Sequence, residues 1–484
     1  MTKNMSSFFN ILFINILLFF QIKAEDKLVF VMTHFRHGAR APQYYYKDYL
    51  DYIKEKWLYP GELTGIGQRM HYLLGIRNRI RYIDEIKFLS DTFDPHEILI
   101  YSSPFNRTII SASSQLQGLY PQFVSLGEKI EDGQEENAKP QVDTDCELIN
   151  EQIKLLNNSA LPYSMILAPI RMINNNERKI TLYDIEGCTD ERDAIKKKNS
   201  ETLQSLIDLV NTFKERYGEK LNEFYEKEEN YDMSFIDNFC DAFISGYTHK
   251  REMKELTKTG FNFTELIEYC FYFQKLNFKD WVLGDEKHTL AHLEVSKLLK
   301  EFIHYMKKRV DADINKEDIS SKLEDYSRPK MIMVSGHDST ISCHEIFLIE
   351  AFGLNSDFYI YPKFATQIAF EVTTNNDNEK QKTYKDYYIN YYFNDELKLN
   401  ITMQDFIDKV TPHIWTDKQI NDFCSFDDDN KSNLNVVLLS IFISLTVIFL
   451  VSTIVLLILL LKKNKKTNSV SSISLINKNN DNED

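Results

Sequence analysis

The segment that most constrains the fold is the apolar run 28–32, which is followed closely by Arg36, His37 and Arg40. The run is apolar throughout rather than alternating, as is typical of a strand that is buried on both faces of a sheet. Such a strand delivers the residues that follow it to the edge of the sheet. Two arginines and a histidine at that edge are suited to holding an anion beside a nucleophile.

Two other polar segments stand in the same relation to a predicted strand. Residues 102–108 follow the apolar run 97–101, and residues 335–340 follow the run 330–334. In an open α/β sheet, ligands bind beyond the carboxyl ends of parallel strands, where the following helices direct their N-termini at a bound anion. We therefore predict an α/β fold with a mainly parallel sheet flanked by helices, in which the three segments meet at one edge.

The spacing of apolar residues predicts the other helices and strands of the α/β fold. Apolar spacing predicts helices over residues 62–82, 109–119 and 339–351, and further strands over 366–372 and 387–393, towards an edge of the sheet.

A long insertion separates the second strand from the third. Residues 147–285 are charged, contain helical stretches and have no clear buried strand, so they predict a mostly helical cap domain. The α/β catalytic domain is then formed by residues 25–146 and 286–425.

The two ends of the chain predict export and membrane attachment. Residues 1–24 have the layout of a signal peptide, with an apolar core and a small residue at the end. Residues 436–461 carry no charge and are long enough to cross a hydrocarbon core of about 30 Å. A buried core helix explains this uncharged run less well than a membrane span does. The basic flank should remain in the cytosol, so we predict a single-pass type I protein with a juxtamembrane linker, 426–435, and a disordered cytosolic tail, 462–484.

Other compositional signals agree with that setting. The even count of six cysteines predicts disulfide bonds, whereas the absence of C-x-x-C spacing speaks against a zinc or redox motif. The net charge of −15 argues against nucleic acid as a partner, because phosphate backbones are bound by basic surfaces. Sequons that predict a glycoprotein lie at Asn157, Asn262, Asn400 and Asn430.

The residues at the predicted sheet edge resemble the signatures of the histidine acid phosphatases, a branch of the histidine phosphatase superfamily. Residues 36–42 are similar to the pattern R-H-G-x-R-x-P, and 63–69 to L-T-x-x-G-x-x-Q/R. Residues 102–112 are similar to the block S-T-x-x-x-R-T-x-x-S-A, and 337–340 to H-D-T/S-T. In order and spacing, the resemblance covers residues 27 to 425.

The resemblance implies a role for six residues, without a metal or other cofactor. His37 is expected to attack phosphorus and carry a phosphohistidine intermediate, and Asp338 to protonate the leaving oxygen. Because Asp338 must be partly protonated, acidic pH is favoured, as in a lysosome, a phagosome or an acidic exterior. The phosphate-binding residues are expected to be Arg36, Arg40, Arg107 and His337.

Three functional hypotheses follow. The first is a membrane-anchored acid phosphatase that acts on phosphomonoesters in a lumen or outside the cell. The second is a phytase, a lysophosphatidic acid phosphatase or a phosphotransferase of the same superfamily, with the cap deciding the substrate. The third is an inactive surface receptor or adhesion protein on the same fold, against which the presence of all six residues speaks. The predicted partners are the phosphomonoester and the membrane, and a homodimer remains open.

A second group of histidines lies outside these motifs. His288 and His292 stand four residues apart on one face of a predicted helix, where they could ligate a metal. No glutamate lies between them as in the zinc-protease motif, so a solvent-facing or structural helix is favoured.

Overall fold

The computed structural model describes most of the chain between residues 26 and 476, and the predicted signal peptide, 1–24, lies outside the described residues. The chain divides into two compact units, Met1–Ile420 and Asn421–Asp484. The described ranges are 26–43, 59–121, 129–133, 137–140, 147–172, 189–225, 230–250, 260–282, 289–317, 329–375, 381–424 and 429–476.

A seven-stranded mixed sheet lies at the centre of the larger unit, in the spatial order β3-β2-β4-β1-β5-β6-β7. Its strands are β1 (Asp26–Arg36), β2 (Ile98–Ser102), β3 (Arg171–Met172), β4 (Met331–Gly336), β5 (Gln367–Asn375), β6 (Tyr387–Phe393) and β7 (Glu396–Thr402). The half from β3 to β1 is parallel, and the half from β5 to β7 is antiparallel to its neighbours.

The α/β class and the predicted strands are confirmed, and the antiparallel half is a difference from the expected mainly parallel sheet. The strand predicted at 366–372 lies in the interior, where it pairs with β1 on one side and β6 on the other. Successive strands joined by short turns pair in antiparallel fashion, and Asn394 and Asp395 form such a turn, both with positive φ. The predicted strands do not include the edge strand β7, whose residues are exposed or only partly buried and which lacks a continuous apolar run.

The helices flank the sheet and make up most of the insertion. The main helices are α1 (Gly65–Arg79), α2 (Asn106–Leu119), α3 (Glu147–Leu156), α4 (Thr189–Thr202), α5 (Gln204–Phe213), α6 (Glu219–Tyr225), α7 (Met233–Thr248), α8 (Phe263–Leu276), α9 (Thr289–Ile314), α10 (Asp338–Phe352), α11 (Met403–Val410), α12 (Asp417–Phe423) and α13 (Asp429–Ile476). Helices α1, α5 and α8 each continue into a π-helical segment: Ile80–Glu85, Lys214–Gly218 and Asn277–Val282.

The inserted helices have an apolar core of their own. Helices α5, α7 and α8 bury an aromatic cluster that includes Phe213, Phe243 and Phe273. The bridge Cys240–Cys270 ties α7 to α8 within this cluster. This agrees with a mostly helical cap, although β3, which lies within the predicted range 147–285, belongs to the central sheet.

The prediction of disulfide bonds from the even count of cysteines holds only in part. Beside the Cys240–Cys270 bridge, Cys424 is disulfide-bonded. Cys343, however, is a free and buried thiol. It lies on α10 within the apolar interior, where it packs as a small hydrophobic residue.

Helices α1 and α2 approach each other so closely that their contact requires glycine. A Cβ atom on Gly75 would lie 2.0 Å from the carbonyl oxygen of Gln115, and one on Gly118 would lie 1.9 Å from that of Tyr72. The side chain of Thr64 caps α1 by accepting a hydrogen bond from the Gly67 amide. The crossing thereby fixes the two helix N-termini relative to each other.

Three histidines are buried beneath the carboxyl edge of the sheet. The rings of His34 and His344 meet edge to face with centroids 5.3 Å apart. Burial lowers the pKa of His344 to about 3 and that of His71 to about 4, and it lowers the pKa of His34 well below its ordinary value. These side chains are therefore neutral in the folded protein at moderately acidic pH.

The smaller unit contains one helix that is long and apolar enough to cross a membrane. The segment Leu439–Lys462 of α13 has a mean hydropathy of 3.0, and none of it is buried. It overlaps the span predicted at 436–461.

Replacing Gly118 with alanine is expected to lower stability by about 1–3 kcal/mol, because the new methyl group meets backbone atoms that move only with the helices. Gly65→Ala is the matched control, since a Cβ there meets nothing within 4 Å. Alanine within a helix should even stabilise it by up to about 1 kcal/mol. Thermal melting of the full chain in detergent compares the two variants, and an unchanged melting temperature for Gly118→Ala would contradict the close crossing.

Acid should destabilise the fold through the buried histidines. Below the unfolded pKa of about 6.5, the unfolded chain binds protons that the folded chain excludes, so stability falls as pH falls towards the lowered folded pKa. At about 1.36 kcal/mol per pH unit, His344 alone should cost about 2 kcal/mol between pH 6.5 and about pH 5.

The matched test replaces His344 with leucine. His344→Leu is expected to show a smaller drop in melting temperature than the wild type over this pH interval. His304, which is exposed on α9, provides the control His304→Leu. Parallel pH profiles for all three proteins would contradict a neutral buried His344.

Candidate active site

The pairing of β4 with β1 and β2 brings the three polar segments together at one edge of the sheet. The parallel ladders place Arg36 opposite Gly336 and Ser102 opposite Ser335. Backbone hydrogen bonds continue beyond the strands, since the amide of His37 donates to the carbonyl of Gly336 at 3.0 Å. The three segments, although far apart in sequence, therefore form neighbouring walls of one site.

A cavity of about 270 Å³ opens at this edge. Five of the six residues predicted from the sequence are at most 8% exposed. The side chain of Asp338 is 19% exposed. All six line the cavity, namely Arg36, His37, Arg40, Arg107, His337 and Asp338.

The ring of His37 is oriented by its own backbone. Its Nδ1 lies 2.9 Å from the carbonyl oxygen of Gly38, and because a carbonyl only accepts, Nδ1 carries the hydrogen. The lone pair of the neutral ring is therefore on Nε2. The loop is held in turn, since the Gly38 amide donates to Ser111 Oγ at 3.1 Å. A Cβ atom on Gly38 would lie 2.4 Å from the carbonyl oxygen of Gly67, so only glycine fits there.

Electrostatics keep this imidazole neutral. Burial lowers the pKa of His37 well below its ordinary value, and the positive charges of Arg36, Arg40 and Arg107 lower it further. Burial and Arg107 likewise lower the pKa of His337. Burial is the larger cause for both histidines.

Arg36 is held at the floor of the cavity by several fixed partners. Its Nη2 lies 2.6 Å from Asp338 Oδ2, and its Nη1 donates to the carbonyl oxygen of Pro362 at 2.7 Å and to Tyr361 Oη at 3.1 Å. The guanidinium also lies 4.5 Å from the centre of the Phe364 ring. These contacts orient the guanidinium before any anion binds.

Arg40 is paired with a carboxylate from the inserted helices. Its Nη2 and Nη1 donate to the two carboxylate oxygens of Asp241 on α7, at 2.7 and 3.2 Å. The amide of Gln43 donates to the same carboxylate at 2.9 Å. Burial opposes the charged form of Asp241, but the Arg40 guanidinium beside it holds the pKa of that carboxyl below its ordinary value.

The remaining predicted residues lie at helix N-termini. Arg107 is the second residue of α2, with its guanidinium 4.4 Å from the centre of the Phe105 ring. His337 occupies the N-cap position of α10 without a capping hydrogen bond from its side chain, and its Nε2 lies 2.8 Å from Ser103 Oγ. Asp338 opens α10, where its Oδ1 accepts from the Ser339 amide at 3.0 Å. Both helices direct a partial positive charge at the cavity.

The sequence motifs do not reveal the opposite wall, which comes from the inserted helices. Burial raises the pKa of Asp237 to about 7, although Gln274 donates to its Oδ1 at 2.9 Å. Asp237 and Asp241 are four residues apart on α7, a spacing that in sequence alone predicts only a solvated helix face. The inserted residues that line the cavity are Arg192, Lys196, Asp237, Asn238, Asp241, Ile244, Gln274, Asn277 and Phe278.

Known proteins resemble this chain in both sequence and fold. It is 39% identical over 98 residues to lysosomal acid phosphatase of Xenopus laevis, which covers 20% of this chain and 21% of that protein. It is 28% identical over 100 residues to human lysophosphatidic acid phosphatase type 6, covering 21% and 23%. The apo phytase of Hafnia alvei superposes with a TM-score of 0.50 at 13% identity, over 84% of this chain and 99% of that chain, which shows a shared fold.

The aligned segments span only about a fifth to a quarter of the curated relatives' length. A much longer match comes from the sequence profile of the histidine phosphatase superfamily (branch 2), which covers residues 27–394. This range contains every residue predicted for the site and most of the sheet. The chain therefore belongs to branch 2 of the histidine phosphatase superfamily.

Proposed function

We propose that this protein is a membrane-anchored acid phosphatase that hydrolyses phosphomonoesters through a phosphohistidine intermediate. The observation that carries the proposal is His37, which is buried, neutral and oriented with its lone pair on Nε2 in a cavity ringed by three arginines. A neutral imidazole is a nucleophile, and fixed guanidinium groups stabilise the charge of a phosphoryl group during transfer.

Substrate binding falls to the positive groups around His37. Guanidinium groups donate paired hydrogen bonds to phosphate oxygens and remain charged at any working pH. We assign this role to Arg36, Arg40 and Arg107, with His337 as a further donor. In many phosphoryl-transfer enzymes magnesium supplies this charge stabilisation, and here the arginines take its place.

The reaction then proceeds in two displacements. Nε2 of His37 attacks phosphorus as the bond to the leaving oxygen breaks, and that oxygen takes a proton from Asp338. The carbonyl oxygen of Gly38, which accepts a hydrogen bond from Nδ1–H, stabilises the positive phosphoimidazole. Asp338 next removes a proton from water, which attacks phosphorus, breaks the P–N bond and releases phosphate and neutral His37.

The cavity wall favours a hydrophilic substrate. Among the described lining residues, charged and amide side chains predominate, and the apolar surface is confined to a few residues such as Ile244 and Phe278. A long acyl chain would have to be buried against polar groups, which is unfavourable. Arg192 and Lys196 on α4 add positive charge, so a phosphomonoester with further anionic groups, as for a phytase, is the second candidate.

We also propose the location and the domain plan. The apolar segment Leu439–Lys462 would anchor the chain, and the lysine-rich residues 462–466 would remain in the cytosol. The catalytic domain, 25–146 with 286–425, and the cap, 147–285, would then lie outside the cell or in a lysosomal or phagosomal lumen. Exposed Asn157, Asn262 and Asn400 are available there for glycosylation.

The nucleophile is tested by hydrolysis of p-nitrophenyl phosphate between about pH 3 and about pH 9 with EDTA present. Because the pKa of His37 is lowered, the ring should remain neutral on the acid side, and activity should fall only below that pKa. On the other limb, activity should fall above neutrality, because the proposed mechanism needs a protonated acid for the leaving oxygen. His37→Ala should lose about 10⁴-fold or more, while the exposed control His304→Ala keeps wild-type activity. Wild-type rates in His37→Ala, or an alkaline maximum, would overturn the assignment.

The proton donor is tested by comparing leaving groups in Asp338→Asn. For glycerol 2-phosphate, kcat/KM should fall by about 10²–10⁴-fold, because an alkoxide needs a proton to leave. For p-nitrophenyl phosphate the fall should be much smaller, since p-nitrophenolate is stable without one. The parameter kcat/KM reports the first displacement and so excludes the later role of Asp338 as a base.

Asp357→Asn, which changes an exposed aspartate, controls for the substitution itself. Equal losses for both substrates in Asp338→Asn would show that Asp338 acts only by holding Arg36.

A further inference from the structure

Three side chains that bind metals well meet away from the catalytic cavity. His292 is on α9, Glu350 is on α10, and His413 ends the short 3-10 turn Thr411–His413. Nε2 of His292 lies 2.9 Å from Glu350 Oε2, and Nδ1 of His413 lies 3.5 Å from Glu350 Oε1. One ligand atom from each residue lies within 4.8 Å of the other two.

The hydrogen bonding of His292 decides what this arrangement can hold. Its Nδ1 lies 2.6 Å from the backbone carbonyl oxygen of His413, and since that oxygen only accepts, Nδ1 carries a hydrogen. In a neutral ring, the lone pair of Nε2 then points at the carboxylate of Glu350. Two electron-rich atoms at that distance repel each other unless a cation lies between or beside them.

A metal ion bound by Nε2 satisfies this geometry. The Nδ1–H···O=C bond on the other side of the ring is the usual support of a ligating histidine. Because metal ligands must be deprotonated, metal affinity should rise towards neutral pH and fall in acid.

We propose that His292, Glu350 and His413 bind a divalent transition metal, with Zn²⁺ the best match. Two imidazole nitrogens and one carboxylate are a common zinc ligand set that leaves a fourth position to water. The side chains of His413 and Glu350 are 31% and 29% exposed, which gives an ion access. The sequence favours a solvent-facing or structural helix for His288 and His292, and His288 lies outside the described residues.

The surroundings of His292 are built to hold it in place. It is 4% exposed and stacks on Trp415 at 6.3 Å and an interplanar angle of 19°. Ser296 Oγ on α9 accepts a hydrogen bond from the Trp415 amide at 2.8 Å. This bond holds the residues that follow the turn against α9. A bound ion would join α9, α10 and the turn. Because α10 begins at Asp338, the ion would brace the helix that forms one wall of the catalytic cavity.

The test measures zinc binding by the full chain in detergent, so it does not depend on phosphatase activity. Protein stripped with EDTA is dialysed against ZnCl₂ at about pH 7.5 and about pH 5, and bound zinc is counted by mass spectrometry. Glu350→Gln and His413→Asn should each lose one equivalent at the higher pH. Both positions are partly exposed and keep the backbone carbonyl that holds His292, so these variants should fold.

Two control variants test whether the lost zinc ion is the one proposed to bind at His292, Glu350 and His413. His304→Ala removes an exposed histidine from the same helix, and His37→Ala removes one from the catalytic cavity; both should retain the zinc. In the wild type, zinc should raise the melting temperature at about pH 7.5 and much less at about pH 5. Co²⁺ in place of zinc should give visible absorption that is lost in His413→Asn. Unchanged zinc counts in Glu350→Gln and His413→Asn would overturn the proposal.

Discussion

The parallel pairing of β1 with β4 is the constraint on which the rest of the site depends. It sets Arg36 against Gly336, so the residues just after each strand, His37 and His337, are neighbours with ring centroids 5.6 Å apart. A slip of one residue would turn alternate side chains to the opposite face and separate these rings. The ladder is costly to form because the strands are far apart in sequence, and buried residues such as Val31 and Met333 supply the apolar contacts that offset this cost.

Sequence alone predicts the part of this arrangement that depends on local patterns of apolar and polar residues. Continuous apolar runs locate β1, β2 and β4, and the edge rule for parallel sheets is enough to place Arg36, Arg107 and Asp338 together. Continuous apolar runs do not mark β7, whose residues are exposed or only partly buried, and no local pattern shows that β5 lies beside β1. They also miss Asp241, since the partner of Arg40 is chosen by the docking of an inserted helix about 200 residues away. Contact between two segments that are far apart in sequence produces no periodic pattern in the residues of either segment.

Burial keeps the proposed nucleophile neutral and at the same time destabilises the fold in acid. The burial that keeps His37 neutral also lowers the pKa of His71 to about 4. Below an unfolded pKa of about 6.5, each such histidine favours the unfolded chain by about 1.36 kcal/mol per pH unit until the folded pKa is reached. The proposed activity in acid therefore requires that the fold is held by contacts that do not titrate. The glycine-mediated crossing of α1 and α2 and the Cys240–Cys270 bridge, whose 30-residue separation corresponds to about 3–4 kcal/mol of loop entropy, are of that kind.

The charge balance of the cavity links the proposed acid to substrate binding. Around His37 three guanidinium groups face two carboxylates, and Asp241 remains anionic in acid because Arg40 holds its pKa low. Among these five groups alone, an ionised Asp338 leaves one net positive charge and a protonated Asp338 leaves two, and Arg192 and Lys196 on the cap wall add further positive charge in either case. A larger positive charge binds an anionic phosphomonoester more strongly, and protonated Asp338 is also the form that donates to the leaving oxygen. On the proposed mechanism, therefore, the form of Asp338 that binds the anionic substrate best is the one that is competent for the first displacement.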